Sequence, residues 1–193
     1  MARKHAKTLD DPMFSRLLSA VSNGEHSERD QVMILLSYKA GLRAVEIAGL
    51  DWDDVTDAEG NVRTDSIFVP GDIAKNGIER SVPMNPHLCV ALHQLRAVCE
   101  SSGPVIYPQK RHKTRMTAGA VCMWFRRLYE KLGFENCSSH SGRRTFITKA
   151  ARLAGLHECS MRDVQMLAGH ASLETTQKYV DASPHVDRLV KAI

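Results

Sequence analysis

The first fifty residues place their apolar side chains at the three- and four-residue spacing of helices. A first helix is predicted from Pro12 to about Gly24. Its apolar residues share one face: Phe14, Leu17, Leu18 and Val21. A second helix, from about Ser27 to Ala40, is so rich in apolar residues that we expect it at the centre of the core. A short third helix is predicted over Arg43–Ala48.

In the middle of the chain the pattern changes to the alternation of strands. Residues 66–70 and 79–83 are short strand candidates, and the turn signals Gly71 and Asn76-Gly77 lie between them. We therefore predict a small antiparallel sheet within residues 50–84. Helical spacing then resumes in an apolar series that ends before Gly103: Leu88, Leu92, Leu95 and Val98.

Four further helices are predicted in the C-terminal half, at about residues 117–132, 139–154, 160–167 and 173–179. The first of them turns an apolar face inward: Val121, Trp124, Phe125, Leu128 and Leu132. The predicted fold is mainly α with a small antiparallel β-sheet, which is an α+β fold. We expect a flexible basic N-terminus (1–10), one domain (11–180) and a C-terminal tail (181–193).

Composition restricts the class of protein without identifying it. Of the 193 residues, 43% are hydrophobic and 25% are charged, which suffices for a core and excludes a disordered chain. The sequence has no apolar run long enough for a membrane span and no signal peptide, so we expect a cytoplasmic protein. The net charge of +4 is too small to indicate a nucleic-acid partner by itself.

The cysteines predict neither a disulfide framework nor a metal site. The five of them are scattered and odd in number, which is typical of free thiols in a reducing compartment. Two Cys/His pairs occur, Cys137 with His140 and Cys159 with His157. Each pair lacks the second half that a zinc site requires, so no metal is expected.

Two polar clusters contain residue types that carry out chemistry. His140 and Arg143 stand three residues apart on a predicted helix, so both point to nearly the same place. Histidine exchanges protons near neutral pH, and the planar arginine cation suits phosphate oxygens. By itself the pair is more often the solvated start of a helix. In the second cluster, His170 precedes Ser172, a good N-cap for a helix that carries Tyr179, yet a lone histidine or helical tyrosine is usually structural.

Together, however, these clusters fit a larger pattern that resembles the tyrosine recombinase, or phage integrase, family. The segment GLRAVEIAGLDWDDV, with Arg43 and Glu46, matches the first motif of that family. His140-x-x-Arg143 matches the second, and the Gly-His pair that ends at His170 matches the third. The segments occur in the family's order and at plausible separations, which makes the set specific although each member alone is weak.

The resemblance covers most of the chain, from about Asp11 to Tyr179. Tyr179 follows the Gly-His motif by nine residues, at the place of the family's nucleophile. The segment AKNGIERSVPM is similar to the family's β-hairpin, so that Lys75 corresponds to its catalytic lysine. The implied fold is the catalytic domain of a tyrosine recombinase.

The resemblance also implies a mechanism. Tyr179 would attack a DNA phosphodiester, leaving a 3′-phosphotyrosyl bond and a free 5′-hydroxyl. Arg43 and Arg143 are expected to bind the non-bridging oxygens, and His170 to add a hydrogen bond. Because tyrosine has a solution pKa of about 10, we predict that His140 accepts its proton.

Two more residues complete the implied site. Lys75 would protonate the leaving 5′ oxygen, and Glu46 would orient Arg43. One phosphodiester is exchanged for another, so neither ATP nor a metal nor another cofactor is expected. The predicted function is site-specific recombination, by integration, excision or inversion. The alternatives are a type IB topoisomerase and a non-cutting DNA-binding regulator that retains the fold.

Basic residues outside this set are candidates for DNA contact. The segment QKRHKTR lies directly before the predicted helix 117–132, which carries two adjacent arginines. The candidates are Lys110, Arg111, Lys113, Arg115, Arg126 and Arg127, with a solvated loop as the alternative. Two positions depart from the family pattern. Gly142 replaces a usual leucine, which suggests a close backbone approach or a slightly different helix start. Arg144 replaces a frequent histidine and is expected to compete for phosphate or to make another DNA contact.

The implied partners are double-stranded DNA and further copies of the protein, as a tetramer on paired sites. Family members usually carry a core-binding domain before the catalytic domain, and this chain begins about where the catalytic domain should begin. It is therefore expected to be an excised domain or a compact member like the fimbrial-switch invertases. The tail, Val186–Ile193, would dock on a neighbouring protomer or fold back. We expect a prokaryotic or phage-encoded protein.

Overall fold

Helices make up most of the protein, of which the computed structural model describes residues 6–99, 102–108 and 114–180. The α-helices within these ranges are α1 (Asp11–Val21), α2 (Ser27–Lys39), α3 (Ala44–Gly49), α4 (Pro86–Val98), α5 (Ala118–Lys131), α6 (Ser141–Leu153), α7 (Met161–Ala168) and α8 (Leu173–Gln177). The strands are β1 (Ser66–Val69) and β2 (Arg80–Pro83). No helix among the described residues combines the length and the apolar character needed to cross a membrane.

The two N-terminal helices form where the sequence predicts them. Asp10 caps α1 by accepting a hydrogen bond from the backbone N–H of Met13 at 2.7 Å. Helix α2 is central, as predicted: the run Val32–Leu36 is buried, and the helix packs against α4 and α6. Burial on several faces explains why α2 lacks a one-sided apolar stripe.

The sheet is a single hairpin, formed by the two predicted strand segments, 66–70 and 79–83. Strands β1 and β2 pair antiparallel, with Ile67 opposite Val82 and Val69 opposite Arg80. The preceding residues, 50–65, form a short 3₁₀ turn at Trp52–Asp54 and isolated bridges instead of further strands. Within this segment Asp57 accepts from the backbone N–H of Asn61 at 2.7 Å, in the turn that joins the bridged residues Thr56 and Val62.

One large cluster of apolar side chains, here called the main core, extends from Leu9 to Phe134. Helix α5 contributes Val121, Phe125 and Leu128 to it, as predicted, while Trp124 and Leu132 are half-buried at its edge. The α4 series departs from prediction only at its end, where Val98 is 59% exposed. The main core thus unites α1 to α5 and the hairpin.

The packed body begins earlier than residue 11. The backbone N–H of Lys7 donates to the carbonyl of Asn136 at 3.0 Å, and that of Leu9 donates to Thr145 Oγ1 at 2.7 Å. Leu9 itself is buried. These contacts correct the predicted boundary, because residues 7–10 belong to the domain. The predicted tail, 181–193, lies outside the described residues.

The last described elements, residues 160–180, form what we call the C-terminal unit: α7, α8 and the turn that carries Tyr179. Helix α7 packs on α6, on β2 and on α8. A small separate cluster holds them, made of Ile147, Ala154, Val164 and Ala168 with Tyr179 at its edge. This unit brings the end of α7 next to the start of α3 and the first turn of α6.

Candidate active site

Arg143 lies in the first turn of α6 and is almost fully buried, at 3% exposure. Its Nη1 donates to the carbonyl of Gly41 at 2.5 Å and its Nη2 to that of Ala168 at 2.6 Å. The glycine before it is required by packing: a Cβ at Gly142 would collide with Ser37 of α2. This confirms the predicted close backbone approach. Burial and the charge of Arg43 lower the pKa of Arg143 to about 9, so it stays cationic at neutral pH.

Arg43 precedes α3 and is fixed through the end of its side chain. Its Nη1 donates to Glu46 Oε1 at 2.9 Å and its Nη2 to the carbonyl of Gly169 at 3.0 Å. The other oxygen of Glu46 accepts from the backbone N–H of Arg43 at 2.8 Å. Glu46 is fully buried, and its two arginine partners hold its pKa below the ordinary value against the opposing effect of burial. Glu46 thus contacts both the guanidinium and the backbone of Arg43, and its predicted orienting role remains a prediction.

The second partner of Glu46 is Arg80, which was not among the predicted site residues. Its two terminal nitrogens donate to the two oxygens of Glu46, both at 2.9 Å, and its Nε donates to the carbonyl of Leu167 at 3.2 Å. The side chain is 8% exposed. A signal was present in the sequence: Arg80 shares a strand face with buried Val82, and an arginine at an inward position needs a buried partner.

The end of α7 is bound by three arginines in succession. The carbonyls of Leu167, Ala168 and Gly169 accept from Arg80, Arg143 and Arg43 respectively. Helices leave their last carbonyls without partners and carry a partial negative charge there, so guanidinium groups are suitable donors. Glu46 neutralises only part of this charge. The result is a cationic site directly before His170.

His170 is held by one nitrogen of its ring and by its backbone. Its Nδ1 lies 3.0 Å from Thr176 Oγ1, and its backbone N–H and carbonyl are both hydrogen-bonded to Gln165. Desolvation lowers the pKa of His170 to about 4, and repulsion by Arg143, Arg43 and Arg80 adds to the effect. The imidazole is therefore neutral at pH 7.

Tyr179 follows α8 in a turn, two residues beyond the end of the helix. Its ring stacks on that of His170, with centroids 5.5 Å apart and planes inclined by 27°. On α6, the guanidinium carbon of Arg144 lies over the same ring, 5.4 Å from the centroid. Tyr179 also influences the pKa of Arg143, which it raises. The predicted nucleophile thus lies among the predicted cations, and Arg144 packs against it.

His140 and Lys75 lie at the edge of the cationic site, on different elements. His140 is the residue directly before α6, solvent-exposed, with its backbone N–H bonded to Ser138 Oγ at 3.3 Å. Desolvation lowers the pKa of His140, and repulsion by Arg143, Arg43 and Lys75 lowers it further. Lys75 is exposed in the turn between β1 and β2. Its charge acts on His140, which places the hairpin turn near the start of α6.

The predicted DNA-binding residues differ in their exposure and in their contacts with the rest of the protein. Arg115 is tied to the protein: it donates to the carbonyls of Ala48 and Gly49 and to Asp51 Oδ2, the last at 2.7 Å. Arg126 pairs with Glu130 at 2.8 Å on the exposed face of α5, and Arg127 is exposed beside it. The other three lie outside the described residues: Lys110, Arg111 and Lys113.

The sequence is similar to one described family over nearly its whole length. Residues 7–185 match the Phage integrase family. Tyrosine recombinase XerD of Shewanella oneidensis is 33% identical over 193 residues, covering 93% of this chain and 58% of XerD. Tyrosine recombinase XerA of Pyrococcus horikoshii is 28% identical over 175 residues, covering 90% of this chain and 56% of XerA. The chain thus spans a little more than half the length of these relatives.

Solved structures with the same fold cover the chain as completely. The Tn1549 transposon integrase, in complex with a circular intermediate DNA, matches 99% of this chain and 66% of its own, with a TM-score of 0.73 and 19% identity. The XerA recombinase crystal structure matches 97% of this chain and 65% of its own, with a TM-score of 0.71 and 24% identity. The predicted fold class, mainly α with a small antiparallel sheet, is confirmed.

Proposed function

The chain belongs to the phage integrase family, and from that premise we propose that it cuts and rejoins DNA at specific sites with Tyr179 as nucleophile. One observation carries the proposal: Arg43 and Arg143 converge on the end of α7, directly beside the stacked rings of His170 and Tyr179. A tyrosine among fixed cations is the arrangement that attack on a phosphodiester requires. The proposed reaction is site-specific recombination through a 3′-phosphotyrosyl intermediate.

The cations act on the charge that develops during attack. We assign Arg43 and Arg143 to the non-bridging phosphate oxygens, where negative charge accumulates in the transition state. Their bonds to backbone carbonyls fix both guanidinium groups before DNA binds, so little reorganisation is needed. His170 adds a hydrogen bond. When the hydroxyl of Thr176 donates to Nδ1, the ring proton of His170 is on Nε2. Nε2 then donates the hydrogen bond to the phosphate.

Two proton transfers balance the bond exchange. As Tyr179 Oη bonds to phosphorus, its proton passes to His140, which the lowered pKa keeps neutral and able to accept. The bond from phosphorus to the 5′ oxygen breaks, and that oxygen takes a proton from Lys75. In rejoining, a 5′-hydroxyl attacks the phosphotyrosine and both transfers reverse. The number of phosphodiester bonds is conserved, so the reaction needs no ATP.

Double-stranded DNA is the proposed partner, with a tetramer on paired sites as the synaptic state. Similar structures include the XerH recombinase bound to its difH substrate and a lambda integrase dimer bound to a core site. On this chain, Arg115 and Arg127 line one groove of about 480 Å³ beside α5. We propose that Arg127 and the basic segment before α5 contact the DNA backbone there. A DNA-associated cytoplasmic location accords with this activity.

The alternatives differ in their products. A type IB topoisomerase would use the same attack to relax one supercoiled duplex, whereas a recombinase joins two sites and forms Holliday junctions. A non-cutting regulator would need a DNA-binding surface but no tyrosine among the arginines. Relatives named tyrosine recombinases favour recombination.

Covalent capture on DNA tests the proposal. Nicked duplexes with randomised flanks are incubated with the 193-residue chain, and those that remain bound after denaturation are sequenced to give the preferred site. We expect a covalent protein–DNA band that is absent in Tyr179→Phe and nearly absent in Arg143→Ala. The control is Tyr129→Phe, which removes the hydroxyl of a buried tyrosine of the main core and should leave the band.

Each result bears on one part of the proposal. A full band in Tyr179→Phe would overturn the choice of nucleophile. DNA binding without a covalent band for the unaltered chain would favour the non-cutting regulator. Relaxed plasmid without Holliday junctions from paired sites would favour the topoisomerase.

A further inference from the structure

Arg80 contacts Glu46, the carbonyl of Leu167 and Gly169, and has no place in the proton or phosphate chemistry above. We propose that Arg80 is a positioning residue, which holds Arg43, Glu46 and the turn of His170 in a fixed arrangement with the hairpin that carries Lys75. The proposal rests on the proposed function, since it concerns how that site is assembled. Three contacts of Arg80 support it.

The first contact is the pair with Glu46. Both oxygens of Glu46 accept from Arg80 at 2.9 Å, and one of them also accepts from Arg43 Nη1. Two parallel bonds fix the plane of a carboxylate as well as its place. Glu46 can therefore orient Arg43 only as accurately as Arg80 holds Glu46.

The second contact is with the C-terminal unit. Arg80 Nε donates to the carbonyl of Leu167, and the guanidinium packs against Gly169, where an added Cβ would lie 2.9 Å from Nη1. Gly169 also has a positive φ of 58°, which favours glycine. The glycine of the Gly-His motif therefore leaves room for Arg80, and the turn leading to His170 follows the position of that side chain.

The third contact is made by the strand itself. Arg80 is the first residue of β2 and pairs with Val69 of β1, so it stands at the end of the hairpin turn, five residues after Lys75. Lys75 is exposed. Because the buried side chain of Arg80 binds α3 and α7, the base of that turn is fixed to both elements. The turn thereby holds Lys75, the proposed general acid, in a defined position.

The titration of His170 tests the arrangement without DNA. The charged groups that act on its imidazole are Arg143 of α6, Arg43 and Glu46 of α3, and Arg80 of β2. The signal of His170, one of nine histidines, is assigned by its loss in His170→Gln. In Arg80→Met we expect its midpoint to rise by about half a pH unit or more, because one repelling cation is lost and Glu46 is less neutralised. In Arg80→Lys, which keeps the charge, it should remain near the original value.

Single-turnover cleavage of the selected nicked duplex tests the consequence. We expect Arg80→Met to form the covalent complex about 100-fold more slowly, and Arg80→Lys about tenfold, since lysine cannot make the paired bonds. The DNA concentration that gives half the maximal rate should change less than the maximal rate itself, because the guanidinium of Arg80 is buried against Glu46 and Leu167. The matched control is Arg63→Met, which removes a half-buried arginine whose Nε donates to the carbonyl of Thr56 at 2.7 Å, in the segment before β1.

The outcomes separate the two proposals. An unaltered midpoint in folded Arg80→Met, or full-rate cleavage by Arg80→Lys, would overturn the role of Arg80. If Arg80→Met fails to fold, Arg80→Lys decides alone: slow cleavage with an unaltered midpoint supports the role. If the unaltered chain forms no covalent complex, the proposed function fails, and the titration still decides whether Arg80 organises the site.

Discussion

The main core and the C-terminal unit are stabilised by different interactions. The main core buries large side chains completely, among them Trp52, Phe125 and Leu17. The C-terminal unit rests on four small or medium apolar residues and leaves Met166 at 61% exposure. Hydrogen bonds from three arginines to the end of α7 connect it to distant parts of the chain. Apolar burial maintains the body, whereas polar contacts attach the part that carries His170 and Tyr179.

This difference links local stability to function. The same guanidinium groups that are proposed to bind phosphate also hold the carbonyls of α7, so the nucleophile-bearing unit is attached through the site itself. Elements with few buried apolar contacts open at a lower free energy than the core does. We therefore expect the main core and the C-terminal unit to respond to different substitutions.

The largest effect is expected from a truncation in the main core. Phe125 is 1% exposed and its ring packs edge-on against Trp124 and parallel to Tyr129. Phe125→Ala leaves a cavity and should lower the free energy of unfolding by about 4 kcal/mol. Urea denaturation monitored by circular dichroism measures it. The comparison predicts a smaller effect for Val164→Ala in the C-terminal unit, and a similar loss for both would show that the unit belongs energetically to the core.

The second effect is on the polar attachment. Glu46→Gln removes the carboxylate that lies between Arg43 and Arg80 and leaves two buried cations without it. Breaking a buried ion pair from one side should cost about 3 kcal/mol of unfolding free energy. Hydrogen exchange should accelerate in α7 more than in α2. The control Glu130→Gln breaks an exposed pair on α5 and should change little. Equal acceleration of both helices would contradict the separation of the two regions.

Strongly periodic elements and motif residues were predictable, because they depend on local sequence. The buried run of α2 follows from its apolar content, and the inward face of α5 follows from spacing. The resemblance to the phage integrase family is confirmed. The catalytic roles of Arg43, His140, Arg143, His170, Tyr179 and Lys75 remain predictions, although the structure brings these residues to one region.

What escaped prediction depends on contacts between distant segments. Arg80 becomes a site residue only when β2 packs on α7, and its partner Glu46 lies far from it in the sequence. The contact of Arg144 with the Tyr179 ring likewise depends on how α6 packs beside the turn after α8, while its role at DNA remains a prediction. In both cases side-chain partners were decisive.

A third effect arises from pH. The pKa of His170 is about 4 in the folded protein and about 6.5 in an unfolded chain. Between these values the unfolded chain binds a proton that the folded protein does not, so stability decreases as pH falls from 6.5 to 4. His140 acts in the same direction. We expect the free energy of unfolding to fall by an amount on the order of 2 kcal/mol. This is less than the full pKa difference would give, because the imidazole is partly exposed and solvent screens it.

Urea denaturation at several pH values between about 5.5 and 7 checks the onset of this effect, in a range above the ordinary titration of carboxylates. His170→Gln should flatten the curve. If the slope persists unaltered in that variant, His170 is not the group that disfavours protonation, and the cationic character of the site around it is weaker than the structure indicates.

The smallest effect concerns Arg144, whose guanidinium carbon lies 5.4 Å from the centroid of the Tyr179 ring. Contacts of a cation with an aromatic face contribute about 0.5 to 1 kcal/mol at accessible sites. Arg144→Ala should therefore slow covalent-complex formation about two- to fivefold at saturating DNA, through looser placement of the ring. Arg144→Lys keeps a cation there and should retain most of the rate.

Arg127→Ala is the matched comparison, because Arg127 is exposed on α5 and belongs to the proposed DNA surface. It should weaken binding and reduce its salt dependence while leaving the rate at saturation intact. If Arg144→Ala behaves in this way instead, with a weaker Kd, a smaller salt slope and a full rate, Arg144 contacts DNA as the sequence first suggested. A loss of rate alone would place Arg144 with the polar contacts that hold the C-terminal unit to the body.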